Sequence, residues 1–203
     1  DGLPTFPALP KDSPLYLADM HFTDSMERME RAYDDWKDGT WSKDPYIDMT
    51  IPTTNDPTMA PPGKHFMSCF VQYCPHKIDG REWTQEDKDG FQKSVFDQIS
   101  NYSPDFKDLV LHAEVRTPQD IENEIGITEG NIFHGELTMD QLMFNRPVPG
   151  YAQYRSPIGG LYMCGSSNHP GGGIMAAPGA NAAREILLDL KRPNTVPENF
   201  GDD

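Results

Sequence analysis

The 203-residue sequence predicts an α+β fold: a small layer of strands and flanking helices over 21–150, then a separate strand, glycine loop and helix over 151–190. Three observations carry this expectation. Short segments that alternate every two residues are interleaved with segments of helical period. Helix-opening signals stand at Thr84 and at Thr117-Pro118. From Gly130 onward Gly, Pro, His and aromatic residues crowd together, and periodicity is lost until Ala182.

Taken in order, residues 1–20 hold four prolines and form an extended entry segment. Met26, Met29, Tyr33 and Trp36 follow at 3-4-3 spacing, one apolar stripe of a helix, and are expected to face the core. Thr23, Asp24 or Ser25 caps that helix and Gly39 ends it. Residues 46–51 alternate as a strand, and 55–63 form a Pro-rich loop. Residues 64–73 predict a longer strand, with Phe66 and Phe70 on one face and Met67, Cys69, Val71 and Tyr73 on the other. Apolar groups on both faces imply a central strand covered twice.

Thr84 opens the next helix, with Asp87 three residues on as in a capping box, and Phe91, Val95 and Ile99 as its inner face. Pro104 limits its length. Leu109, Leu111, Ala113 and Val115 alternate, so 108–116 predicts a strand. Thr117 caps a short helix with Pro118 at its first position, and Gly126 closes it. The polar tail 191–203 is expected to fray.

The net charge of -15 repels phosphate backbones and excludes nucleic acid as a partner; its plain meaning is solubility. Three cysteines, Cys69, Cys74 and Cys164, argue against a disulfide framework. They point to an intracellular, reducing compartment, cytoplasmic or, in a eukaryote, mitochondrial. Cys69 and Cys164 read as core thiols, and Cys69 and Cys74 lack zinc spacing, so no metal is expected. No run of about 18 apolar residues exists to span a bilayer. The chain opens on Asp1 rather than Met, so the natural protein is expected to begin earlier.

The chemistry is concentrated in GLYMCGSSNHPGGGIMAAPGANAAREILLDL, residues 160–190. Residues 161–164 predict a short strand ended by a turn at Gly165; Gly171, Gly172 and Gly173 lead into a helix with Ala183, Ile186, Leu187 and Leu190 on one face. Glycines let a ligand touch the backbone. The bare N–H groups at a helix start carry about half a positive charge and suit an anionic group. Gly171 to Ala176 fits G-x-G-x-x-A, but no second strand with an acidic residue follows. The segment therefore fits the last strand and helix of a Rossmann-like domain rather than its first.

Residues 160–190 resemble the C-terminal flavin-binding motif of phytoene desaturases and their relatives, in particular the pyridine nucleotide-disulfide oxidoreductase domain-containing protein 2 group. The resemblance extends to ERAYDDWKDG (30–39), IPTTNDPTMAPPGKHFMSCFVQYCP (51–75), TPQDIE (117–122) and GNIFHGELTMDQLMFNRPVPGYAQYRSPIGGLYMCG (130–165). It implies the C-terminal portion of a two-part FAD-dependent oxidoreductase. On this resemblance residues 21–150 would belong to its substrate domain, a mixed β-sheet with flanking helices, and 151–190 to the FAD-binding strand, loop and helix. The N-terminal half, with the pyrophosphate loop, would be supplied by the rest of the same protein.

Carried over on the same resemblance, Gly165 and Ser166 approach the ribityl–pyrophosphate region. The backbone of Gly173, Ile174 and Met175 faces the flavin pyrimidine edge. Asn168, His169, Gly171 and Gly172 complete the cofactor loop. His134 is the candidate catalytic residue, binding substrate or moving a proton, against the alternative of a loop histidine holding carbonyls. Arg146 and Arg155 either pair with acids or contact FAD phosphates. His65, His76 and His112 show no clustering.

The substrate is expected to be small and hydrophobic, and the isolated chain is expected to be inactive and to bind FAD weakly or not at all. Homo-oligomerisation stays open. The alternative functions are a non-catalytic interaction or dimerisation module, and a pseudoenzyme that keeps the flavoprotein fold.

Overall fold

The computed structural model describes residues 1–135 and 137–192; most of the expected polar tail, 193–203, lies outside the described residues. Backbone contacts divide the chain into two compact units, Asp1–Gly130 and Asn131–Asp203.

The first unit is built on a three-stranded sheet of β1 (Met20–Phe22), β2 (Tyr46–Thr50) and β3 (Ser68–Gln72), in that spatial order. Both pairings are antiparallel, with Phe22 opposite Ile47 and Val71 opposite Ile47 on its other side. The described sheet is therefore antiparallel rather than mixed. Ile47 and Met49 alternate inward on β2 and join Phe6, Tyr16, Phe22, Ile51, Val95, Ile99 and Phe106 in one apolar core. Phe6 and Tyr16 bring the entry segment into that core, and the Tyr16 hydroxyl donates to Pro4 O at 3.2 Å.

Helix α2 (Gln85–Tyr102) covers the core through Phe91, Val95 and Ile99, as its period predicts. Thr84 caps it, and Asp87 completes the capping box. Asp87 also takes two hydrogen bonds from Arg81, at 2.6 and 2.9 Å. Arg81 first, then Thr84, holds the Asp87 carboxyl well below its ordinary range. A second apolar cluster joins Ile78, Trp83 and Phe91, with Trp41 and Cys74 against it. Burial pushes the Cys69 and Cys74 thiols up to about 12, which suits packing groups rather than nucleophiles.

Helix α3 (Phe106–Leu109) and an irregular segment replace the strand expected at 108–116. Leu111 stands exposed there, so the alternation of Leu109, Leu111, Ala113 and Val115 has no sheet to serve. Helix α4 (Pro118–Ile125) has the predicted capping box of Thr117 and Asp120, with Gly126 left-handed at its end. It buries none of its own residues. Lys88–Asp120 and His76–Glu122 contacts at 2.7 Å tie it down instead. Gly130 closes the unit with φ 63°; a Cβ there would lie 2.2 Å from Pro118 O.

Two expectations about faces are corrected. Helix α1 (Met26–Lys37) forms with Ser25 as its cap, but its stripe is not core: Met26 is 82% exposed, and Met29, Tyr33 and Trp36 are exposed too. The helix is rolled so that Ala32 faces inward. Ser42 Oγ donates to Ala32 O at 2.5 Å, and Arg28 bonds Asp44 on the same side. Strand β3 is covered on one face only, because Cys69 and Val71 pack on the core while Phe70 is exposed.

The second unit contains helix α5 (Ala177–Asp189), 3-10 turns and loops. Residues 161–164 do not form the expected strand; they contribute a single antiparallel bridge, Arg155 to Tyr162. Cys164 is exposed, not a core thiol. No described helix is long and apolar enough to cross a membrane.

Candidate functional site

The site is the loop that runs from Gly165 into α5. Its first turn is closed by Asn168 N–H donating to Gly165 O at 3.1 Å. Gly165, Gly171 and Gly173 adopt φ of 99°, 110° and 102°, which side chains other than glycine's rarely follow. A Cβ at Gly172 would sit 3.3 Å from Ser166 Oγ, a tight contact that the serine would have to yield. Ile174 and Ala176 are left-handed at φ 59° and 54°, and strain of this kind in a β-branched residue gathers at functional loops.

Ala176 is the N-cap of α5 and offers no side-chain acceptor; Pro178 stands in the first turn. The first N–H groups of α5 therefore keep their partial positive charge without a side-chain cap. Ile174 is fully exposed, and Met175 is exposed beside it.

Three buried polar side chains organise the loop. Arg146, 4% exposed, donates from Nε and Nη2 to Ser166 O at 3.2 and 2.7 Å, and from Nη2 to Phe133 O at 2.5 Å. Tyr154 is buried; its hydroxyl donates to His169 O and accepts from Asn181 Nδ2, both at 2.8 Å. Asn168 is 3% exposed, and its Oδ1 has no donor among the described residues. An orphaned buried acceptor costs about 1–3 kcal/mol.

The base of the unit is ionic. Arg155 bonds Asp189 at 2.8 and 2.9 Å and Glu185 at 2.5 Å, and Tyr162 OH donates to Asp189 at 2.7 Å. Arg155, then Tyr162, lowers the Asp189 carboxyl to about 2.

The predicted residues thus separate into two groups. Gly165, Ser166, Asn168, His169, Gly171 and Gly172 are drawn together by Arg146 and Tyr154, and a Cβ on Gly171 would lie 4.0 Å from Arg146 Nε. Gly173, Ile174 and Met175 face outward at the mouth of α5. His134, left-handed at φ 57°, joins the first group through Nδ1, 3.2 Å from Ser167 Oγ.

Of the two arginines, Arg155 pairs with acids, whereas Arg146 takes carbonyl oxygens. No local sequence pattern marks Tyr154, Asn181 and Ser167. Their role depends on hydrogen bonds to distant residues, which no local pattern records. Among the described residues, no group of three or more His, Cys, Asp or Glu could hold a metal ion.

No family model matches the chain. Pyridine nucleotide-disulfide oxidoreductase domain-containing protein 2 of Mus musculus is 43% identical over 198 residues, which cover 94% of this chain and 34% of the relative. A lycopene-forming phytoene desaturase of Pseudescherichia vulneris is 28% identical over 143 residues, covering 68% of this chain and 27% of that protein. The chain belongs to the phytoene desaturase-like oxidoreductases. The carotenoid 3,4-desaturase of Haloarcula japonica is similar too, 26% identical over 152 residues, 74% of this chain and 29% of its own. The chain spans about a third of the length of the phytoene desaturase-like oxidoreductases it matches.

Proposed function

We propose that this chain is the cofactor-closing portion of a longer FAD-dependent oxidoreductase acting on a hydrophobic substrate. The observation that supports the reading most is the bare glycine loop leading into the uncapped first turn of α5, in a chain of this family.

The residues present fit a flavin nucleotide. Gly172 and Gly173 add no side chain of their own to the loop, where Ser166 Oγ and Met175 Cε already lie 3.3 Å from the two Cβ positions, so the peptide edge is left for a ring. The free N–H groups at the start of α5 stabilise negative charge on a bound ring. Asn168 Oδ1, buried and without a donor, suits an N–H or hydroxyl of the ligand. Ile174 and Met175 provide apolar cover that excludes water. His134, whose Nδ1 faces Ser167 Oγ, would hold or move a proton through Nε2. When bound, FAD supplies the two-electron redox chemistry, and the chain tunes and shelters it. The N-terminal part of the longer protein is the partner that supplies the pyrophosphate loop.

The test is to purify the full-length protein and this chain separately and load both with FAD. The full-length protein is expected to keep a flavin absorbance band through gel filtration, and this chain is expected to lose it. A full-length protein that takes up no flavin at saturating FAD refutes the reading. Screening quinones, oxygen and nicotinamides with the loaded protein then identifies the electron acceptor.

A second reading, a self-associating module without catalysis, is favoured by the open stripe Met26, Met29, Tyr33 and Trp36. It predicts dimers of this chain in sedimentation that Met26→Lys dissolves.

A further inference from the structure

We propose that Arg146 and Tyr154 are positioning residues that set the shape of the cofactor loop; the inference rests on the flavin reading above and deepens it. Neither side chain needs to touch the ligand. Each holds a backbone carbonyl on one side of Asn168, Ser166 O for Arg146 and His169 O for Tyr154. With both carbonyls drawn to the interior, the intervening turn is fixed. Asn168 is buried with its acceptor unspent, and its N–H is bound to Gly165 O.

The chemistry of the two groups explains the choice. A guanidinium presents several donors on a rigid plane, so Nε and Nη2 of Arg146 can converge on one oxygen while Nη2 also reaches Phe133 O. That second bond ties the His134 turn to the same clamp, beside the Ser167–His134 contact. A lysine has a single nitrogen on a flexible stem and cannot reproduce the fork. A side chain at Gly171 would begin 4.0 Å from Arg146 Nε, so glycine there leaves the guanidinium its room. A phenol is suited to the other side, because the Tyr154 hydroxyl accepts from Asn181 on α5 while donating to the loop. The loop is thereby registered to the helix whose first turn meets the ligand.

The experiment compares Arg146→Ala, Arg146→Lys and Tyr154→Phe with the wild type in the full-length protein. FAD affinity is read by fluorescence titration, the folded fraction by thermal melting, and amide hydrogen exchange over 165–169 is followed without FAD. Losing the charged bonds of Arg146 is expected to weaken FAD roughly tenfold to a hundredfold in the folded fraction. Ethylguanidinium is expected to restore much of that loss in Arg146→Ala, and Arg146→Lys is expected to restore little. Tyr154→Phe is expected to weaken FAD several-fold, and each variant to speed exchange at the Asn168 amide. An affinity within about twofold of wild type, with no rescue, overturns the proposal, as does unchanged exchange at 165–169. A wild type that binds no FAD overturns the flavin reading instead, and the exchange data still judge the clamp.

Discussion

The two units order Gly- and Pro-rich chain with different materials. In Asp1–Gly130 the sheet and α2 enclose apolar clusters, and polar groups cap helix ends or tie single carbonyls such as Pro4 O and Ala32 O onto that core. In the second unit the buried side chains among the described residues are Arg146, Tyr154, Asn168, Pro178 and Ala182. There the loop is held chiefly by side-chain donors on backbone carbonyls. An apolar core tolerates small shifts, because its attraction has no direction. A carbonyl clamp fixes geometry closely but fails at one atom. The first material suits a scaffold, and the second suits a loop that must present bare peptide to a ligand.

The comparison breaks most visibly in the first core. Ile99→Ala removes a side chain with no exposed surface and is expected to cost about 2–5 kcal/mol in denaturant unfolding. A loss below about 1 kcal/mol would mean that the core is not the main support of this unit. In the second unit, Tyr154→Phe leaves His169 O without its donor and is expected to cost about 1–3 kcal/mol. Hydrogen exchange should show that cost as local opening around 165–169, with α2 amides unaffected.

Thr117→Ala deletes the acceptor for Asp120 N–H and is expected to cost about 1 kcal/mol, seen as faster exchange in α4. Asn168→Leu has the opposite sign. Replacing the orphaned acceptor is expected to leave thermal stability equal or higher by up to about 1 kcal/mol, while flavin retention falls. Stability and retention falling together would assign Asn168 to the scaffold.

The smallest effect is acid sensitivity. The carboxyls of Asp87 and Asp189 lie below the ordinary 3.8, Asp189 at about 2, so the folded chain binds fewer protons than the unfolded one in that range. Their contribution is present above about pH 4 and is lost as pH falls through the folded values. Asp189→Asn should flatten the fall in melting temperature between about pH 4 and pH 2. An unchanged slope would show that the Arg155 pair adds nothing measurable.

Helix ends were the most legible part of the sequence. Thr84 with Asp87, and Thr117 with Pro118 and Asp120, act through residues a few positions apart, and Gly126 ends α4 as its backbone freedom requires. The inner face of α2 was legible for the same reason: Phe91, Val95 and Ile99 repeat with the helix and have a sheet to meet. Faces set by distant partners were not. Periodicity showed that α1 is amphipathic, but the pull of Ser42 and Asp44 decided which side turns inward. Strand β1 has three residues, too few to alternate visibly, and 161–164 found one bridge where a full ladder was expected. In the site, the glycines were readable, because bare backbone is itself a sequence feature. The holders, Arg146 and Tyr154, act across 20 and 15 positions on carbonyls every residue has.

Gly130 fixes where the chain can be cut. With Pro118 O only 2.2 Å from where a methyl group would begin, any other residue there must push the opening turn of α4 aside. A split of this protein into separately made pieces must therefore leave position 130 with the upstream piece, as glycine. Tags, linkers and inserted domains belong downstream of it.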